Sequence, residues 1–228
     1  MKLDMHNHTT YSDSTATPAE LIAMAKKIGI VPFITDHDTM AALKDAKEAS
    51  RKLDWPFVIG EEIRTEKGEI SGLMLNEEIP KGLSPEETLD RINEQGAISY
   101  VTHPYSMTRS GLGGCEKAMK MCDIIEVLNP RSSFISDDKA RRFAQKNGKL
   151  MGAGSDSHWL EALGGAYVET EEMDLDSPKS LLKAVSSGKP VLISRVNKLE
   201  RTFRRLIKKA KKILRKYRND VPDRGKGL

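Results

Sequence analysis

The chain predicts an α/β barrel, irregular in its strand count and built on a mostly parallel sheet. Three observations carry this. Short apolar strands alternate with amphipathic helices across residues 3–194, the pattern of repeated βα units. Polar residues gather at or just past the C-terminal ends of those strands: His6 and His8, Asp36 and His37, Glu62, His103, Asn129, Asp156 and His158. A barrel brings such ends to one rim, whereas an open sheet spreads them along an edge. Third, 228 residues can form one sizeable core, although that length also fits two small domains.

The elements follow in order. Residues 3–6 alternate apolar and polar, as a strand with one inward face does. Thr17 caps and Pro18 opens a helix whose Leu21, Ile22, Ala25 and Ile28 form one apolar stripe, and Gly29 ends it. Residues 30–34 are a second strand, in which Pro32 argues for an edge or a bulge. Residues 41–52 are helical, residues 57–59 form a third strand, and residues 62–75 read as a hairpin turning at Glu66-Lys-Gly68. Ser84-Pro-Glu-Glu87 starts a helix that runs to Gln95 and stops at Gly96. Strands over 97–101 and 124–128 precede a helix over about residues 136–146 and a strand at 150–152. Residues 165–168 and 191–193 are the last strands, with a helix from Pro178 to Ser187 between them.

A hydrophobic content of 38% and a charged content of 31% describe a soluble globular chain. No run of about 18 apolar residues exists, so no transmembrane segment is expected. Motif residues follow Met1 at once with no signal peptide, which leads us to expect a cytoplasmic protein. Cys115 and Cys122 lie too far apart for a CxxC pair and read as reduced thiols near a helix. Charge is uneven. Residues 195–228 carry 14 Lys/Arg against 3 Asp/Glu, or +11; the other 23 basic and 30 acidic residues leave −7 on residues 1–194. We therefore expect a barrel over 1–194 and a basic amphipathic C-terminal helix and tail over 195–228.

All five histidines sit beside carboxylates or in short polar motifs. Imidazole and carboxylate are the ligands that hold a catalytic metal. His6 and His8 are two apart on a strand and so share a face. Asp13 follows in a polar loop, as a turn-former or as a ligand beside His37. His37 stands between Asp36 and Asp38, poised for a metal or for proton transfer. Glu61 and Glu62 are adjacent on a strand, so only one need point into a site. Asp156 and His158 repeat the two-apart geometry.

In order, His6-Asn-His8, Tyr11-Ser-Asp13, Ile34-Thr-Asp-His-Asp38, Gly60-Glu-Glu-Ile63, His103-Pro104 and Gly154-Ser-Asp-Ser-His158 resemble the motifs of the PHP (polymerase and histidinol phosphatase) family. The resemblance spans residues 3–194. It implies a distorted (β/α)7 TIM-like barrel that holds two to three divalent metal ions (Mn, Fe, Zn or Mg) and hydrolyses phosphate esters through a metal-activated water. By this resemblance His6, His8, Glu62 and Asp156 hold one metal, Glu62 bridges to a second shared with His103, and Asp13, His37 and His158 hold the third. The preference for Glu62 over Glu61 comes from this alignment. The chain departs from the pattern at Glu69, where many members carry a histidine. Glu69 is either a harder, oxygen ligand for the second metal, favouring Mn, Mg or Fe(II), or a side chain in solvent.

Asp36 and Asp38 are candidates to orient His37 or its neighbours. Arg131 and Arg109 are candidate phosphate clamps, since guanidinium matches phosphate bidentately; each is equally readable as a solvated loop arginine. In the tail, Val196, Leu199, Phe203, Leu206, Ala210, Ile213 and Tyr217 recur at helical spacing among basic residues. Such a helix docks its apolar stripe and leaves a basic face to contact nucleic acid. The expected activity is metal-dependent phosphoester hydrolysis on nucleotides or oligonucleotides. The alternatives are a small-molecule phosphatase of the histidinol-phosphatase kind and a non-catalytic PHP-like subunit that binds nucleic acid.

Overall fold

The computed structural model describes residues 1–106 and 110–195. The expected helix over 195–228 therefore falls, apart from Arg195, outside the described residues. The described strands are β1 (Lys2–Asn7), β2 (Val31–His37), β3 (Val58–Arg64), β4 (Glu69–Leu73), β5 (Ile98–Val101), β6 (Ile124–Leu128), β7 (Leu150–Ala153), β8 (Ala166–Glu169) and β9 (Lys189–Leu192). They form one sheet in the order β7-β6-β5-β4-β3-β2-β1-β8-β9. β1, β2 and β3 are parallel, β4 runs antiparallel between β3 and β5, and β5, β6 and β7 are parallel again.

The chain leaving β7 returns to the end of β1. Asp156 donates its backbone N–H to the His6 carbonyl at 2.8 Å, and His8 donates to the Ser157 carbonyl at 3.0 Å. The seven strands β1–β7 thus curl into a nearly closed barrel, distorted by the reversed β4. β8 and β9 extend the sheet beyond β1 as antiparallel additions. Gly154 makes the closure possible, because a Cβ there would lie 2.4 Å from His6 Cβ.

The helices are α1 (Pro18–Ile28), α2 (Leu43–Leu53), α3 (Pro85–Glu94), α4 (Glu116–Met121), α5 (Phe134–Lys146) and α6 (Pro178–Ser187). At α1 the Thr17 hydroxyl accepts from Glu20 N at 3.2 Å, and the Glu20 carboxylate accepts from Thr17 N at 2.8 Å, a reciprocal cap. Gly29 closes it in the left-handed conformation (φ 68°). α1 buries Leu21, Ile22 and Ala25 against Ile34 of β2 and Ala46 and Ala49 of α2. Each fully buried Leu or Ile there contributes about 1.5–3 kcal/mol. The larger core cluster includes Phe33, Ile63, Ile70, Leu73, Tyr100, Ile125 and Val127.

Of the two settings that Pro32 argues for, an edge or a bulge, the structure gives the bulge, since β2 is an interior strand paired with both β1 and β3. Pro32 is tolerated because β3 pairs only from Phe33 onward, and the register slip lies opposite it, between Asp4 and Asn7. α5 begins at Phe134, two residues before residue 136, because Ser133 accepts from Ser136 N at 3.0 Å and sets the start. The sequence pattern also missed α4, a helix too short to show a stripe; Cys115 and Cys122 flank it as free thiols. No helix among the described residues is long and apolar enough to cross a membrane.

Candidate metal centre

The barrel gathers the strand-end residues around one carboxylate. Glu62, near the end of β3, is fully buried. Its Oε1 lies 3.3 Å from His6 Nε2 and 3.2 Å from His103 Nε2; its Oε2 lies 3.4 Å from His8 Nε2 and 3.2 Å from His37 Nδ1. Thr102 holds Oε1 with a 2.7 Å hydrogen bond. Glu61 faces the other way, as strand alternation requires, and accepts from Ile79 N at 2.9 Å. Glu62, not Glu61, is therefore the carboxylate of this pair that reaches the histidines.

The two-apart pairs behave as their spacing predicts. His6 and His8 bring their Nε2 atoms to 3.1 Å of each other. Asp156 Oδ1 approaches His8 Nε2 at 3.5 Å and His158 Nδ1 at 3.4 Å. Asp13 Oδ1 lies 2.9 Å from His158 Nε2 and 3.8 Å from His37 Nε2. Glu69 does not point to solvent. It is buried at the start of β4, with Oε1 3.8 Å from His37 Nδ1 and Oε2 3.6 Å from His103 Nε2.

Asp36 and Asp38 act on neighbours of His37. Asp36 accepts from Thr9 N at 2.7 Å, Thr9 Oγ1 at 2.5 Å and Ser12 Oγ at 2.5 Å, so it fixes the loop that delivers Asp13. Asp38 binds Arg64. Arg131 is drawn into the site, with Nη1 2.6 Å from Asp156 Oδ1 and 2.7 Å from His158 Nδ1. Arg109 lies outside the described residues.

Glu126 on β6 went unnoticed in the sequence. Its Oε1 meets His6 Nδ1 at 3.1 Å and accepts from Tyr100 Oη at 3.0 Å; its Oε2 accepts from His103 N at 2.6 Å and Asn129 Nδ2 at 2.9 Å. The available signal was a lone carboxylate inside the apolar strand Ile124-Ile-Glu-Val-Leu128. Backbone strain also collects here. Asp38, His103 and Asp156 take left-handed φ of 51°, 30° and 51°, a conformation non-glycine residues hold only when their surroundings enforce it.

Burial and neighbours set the charges. Burial opposes protonation of His6, but Glu62 and Glu126 outweigh it and raise its pKa to about 10. His8 is held well below the ordinary imidazole range by burial and by His158 and His37. His158 is pushed down to about 3 by burial and the Arg131 guanidinium. Burial would raise Glu62, but the imidazoles of His6, His103 and His37 hold it well below the carboxylate range. The site thus offers an anionic bridge beside the neutral imidazoles of His8 and His158, the donor types a divalent cation needs, while His6 must release a proton for its Nε2 to ligate.

The geometry fits such a cation. Ligand atoms of His6, Glu62 and His103 lie within 4.8 Å of one another, as do those of His6, His8 and Asp156, of His37, Glu62 and Glu69, and of His8, His37 and His158. Glu62 Oε2 and His37 Nδ1 are buried 3.2 Å apart yet make no hydrogen bond among the described residues, so they converge on common space rather than on each other. The cavity between these groups measures about 230 Å³ and is lined also by Ser110 and Arg131.

Comparison with known proteins agrees. The PHP-associated (PHP_C) family matches residues 135–190. An uncharacterised protein of Methanocaldococcus jannaschii is 35% identical over 189 residues, covering 79% of this chain and 75% of the relative. The chain is 30% identical over 138 residues to a 3',5'-nucleoside bisphosphate phosphatase of Chromobacterium violaceum, covering 56% of this chain and 46% of that one. It is 31% identical over 102 residues to a 5'-3' exoribonuclease of Haemophilus influenzae, covering 42% and 37%. The chain thus spans less than half the length of either relative named for an activity. A two-domain protein from Bacteroides vulgatus containing a predicted PHP-like metal-dependent phosphoesterase shares the fold, with a TM-score of 0.67 at 16% identity over 84% of this chain and 64% of that one. The chain belongs to the PHP family of metal-dependent phosphoesterases.

Proposed function

We propose that the chain hydrolyses phosphate esters of nucleotides or oligonucleotides at a cluster of two to three divalent ions. The observation that carries this is Glu62, one buried carboxylate within 3.4 Å of four imidazoles delivered by three different strand ends. In this reading His6, His8, Glu62 and Asp156 hold one ion, Glu62, Glu69 and His103 a second, and Asp13, His37 and His158 a third. Bound ions supply Lewis-acid charge and lower the pKa of water toward neutrality. The chain's residues do the positioning. Arg131, facing the cavity beside Asp156, offers guanidinium donors to the phosphate. The loop carrying Asp13, held by Asp36, keeps one wall in place.

Nucleotide substrates are favoured because two relatives with named activities act on them. The +11 charge of residues 195–228 supports guidance of an anionic polymer toward the site. The test is phosphate or nucleotide release by Mn-loaded protein from p-nitrophenyl phosphate, bis-p-nitrophenyl phosphate, histidinol phosphate, a nucleoside bisphosphate and short RNA. Release from the nucleotides, abolished by chelation, is expected; release only from histidinol phosphate supports the small-molecule alternative. No metal-dependent release from any of these overturns the reading. Removing residues 195–228 should weaken oligonucleotide binding and flatten its salt dependence.

A further inference from the structure

Arg64 follows Glu62 by two residues on β3, so the strand face that sends Glu62 into the cluster sends Arg64 to its rim. His37 pairs with Glu62 across β2 and β3, and Asp38 and Arg64 stand just past that rung. The left-handed backbone of Asp38 (φ 51°) accompanies a turn of its carboxylate across to β3. There Oδ1 accepts from Arg64 N at 2.9 Å, while Oδ2 takes Nε and Nη2 of the guanidinium. One carboxylate therefore engages three donors of Arg64. A long side chain that would otherwise lose freedom on meeting a ligand is already placed.

The placed guanidinium borders a cavity of about 400 Å³ with Ser12, Asp13, His37 and Glu69. Asp13, His37 and Glu69 also line the metal cavity, so the two spaces share three walls. The Arg64 side chain remains 55% exposed toward solvent, whereas Arg131 is only 11% exposed and already engaged by Asp156. The carboxylates of Asp13 and Glu69 face this cavity too. Both also border the ion cluster, so cations bound there offset their charge toward an incoming anion.

We propose that Arg64, braced by Asp38, forms a second phosphate position beside the ion cluster, so that the preferred substrate carries another phosphate group next to the one hydrolysed. This rests on the phosphoesterase reading above. The shared chemistry is a neighbouring phosphate, whether in a small nucleoside bisphosphate or in the next linkage of an oligonucleotide. Guanidinium suits it because its planar fork retains donors on the edge that Asp38 does not occupy.

The experiment uses the full chain loaded with Mn. Affinity and kcat/KM are measured for a nucleoside 3',5'-bisphosphate, the matching monophosphates and a 5'-phosphorylated dinucleotide. The wild-type protein should favour the doubly phosphorylated compounds roughly tenfold or more, chiefly through KM. R64A should bring that ratio close to one, R64K should keep part of it, and D38N should fall between, because the guanidinium loses its brace. R91A, on α3 and paired with Glu87, should leave the ratio unchanged. A wild-type ratio near one, or a ratio untouched in R64A, overturns the proposal. Which compound loses most in R64A tells a bisphosphate substrate from an oligonucleotide. Binding decides the matter independently of turnover: tight Arg64-dependent binding without hydrolysis upholds the second position and sinks the phosphoesterase reading instead.

Discussion

Replacing Glu126 by Gln should cost the centre an ion without removing any group that faces the cavity. The carboxylate is surrounded by donors: Tyr100 Oη and His103 N at 3.0 and 2.6 Å, Asn129 Nδ2 at 2.9 Å, and His6 Nδ1 at 3.1 Å. A Gln has one oxygen. That oxygen must stay with His103 N and Asn129 Nδ2, which cannot reverse roles. Its NH2 then faces Tyr100 and His6. The tyrosine hydroxyl can rotate to accept, but in the singly protonated form that ligates an ion His6 Nδ1 can accept only by moving its proton to Nε2. Nε2 is the atom that meets Glu62 and His8 at the centre of the cluster. The lone pair needed for a cation is thereby lost. Partners of this kind are worth about 10- to 100-fold in metal affinity, or about 1.4–2.7 kcal/mol. The assay is Mn or Zn binding by equilibrium dialysis, with unfolding of the ion-free protein as control and 15N NMR of His6 to read the tautomer. E126D, which keeps the charge, should recover part of the affinity. E126Q that binds ions with wild-type affinity, with His6 still protonated on Nδ1, would refute the reasoning.

Three further outcomes are expected. G154A places a Cβ 2.4 Å from His6 Cβ and 2.7 Å from His6 N, so urea unfolding should show a loss of at least about 2 kcal/mol and weaker ion binding. Burial lifts the Asp137 carboxyl to about 6 against the pull of Arg195, from an ordinary 3.8. Its contribution to stability is then full below the unfolded value and lost as pH rises through about 6. Between pH 4 and 7.5 the wild type should therefore lose about 1–2 kcal/mol relative to D137N, and parallel pH profiles would contradict this. E69H should move the ion preference toward Zn over Mn in competition binding, because imidazole is the softer ligand.

The sequence made the site more legible than the wall that supports it. His6 with His8 and Asp156 with His158 could be paired in advance, because strand alternation places residues two apart on one face. The same rule left Glu61 and Glu62 open, since a period of two says that they diverge but not which one faces inward. Pro32 left an edge or a bulge open, and choosing the bulge needed the strand order and the late start of β3 pairing, which are long-range facts. Glu126 stayed hidden for the same reason. Its importance comes from Tyr100, His103 and His6, which lie 26, 23 and 120 residues away in the chain. Arg64 carried no motif, and only its rung next to Glu62 connects it with the cluster.

Glu69 shows how one substitution recasts a site without changing its shape. Four carboxylates, Asp13, Glu62, Glu69 and Asp156, line the cavity, with Arg131 the cation among its lining residues. A histidine at position 69 would leave three. The added anion strengthens the pull on divalent ions near His103 and His37, from which it stands 3.6 and 3.8 Å. It also raises the cost of bringing phosphate to an ion-free site, since like charges then meet in a buried space. Ion binding and substrate binding should therefore be coupled strongly in this chain: the ions must arrive first, and a phosphate, once bound, must slow their departure. That coupling makes an arginine on the far side of the cavity more useful than a second one inside it. Arg64 meets the substrate's outer phosphate without competing with the ions for Asp13 or Glu69, whereas Arg131, at 2.6 Å from Asp156, already shares a carboxylate with the cluster.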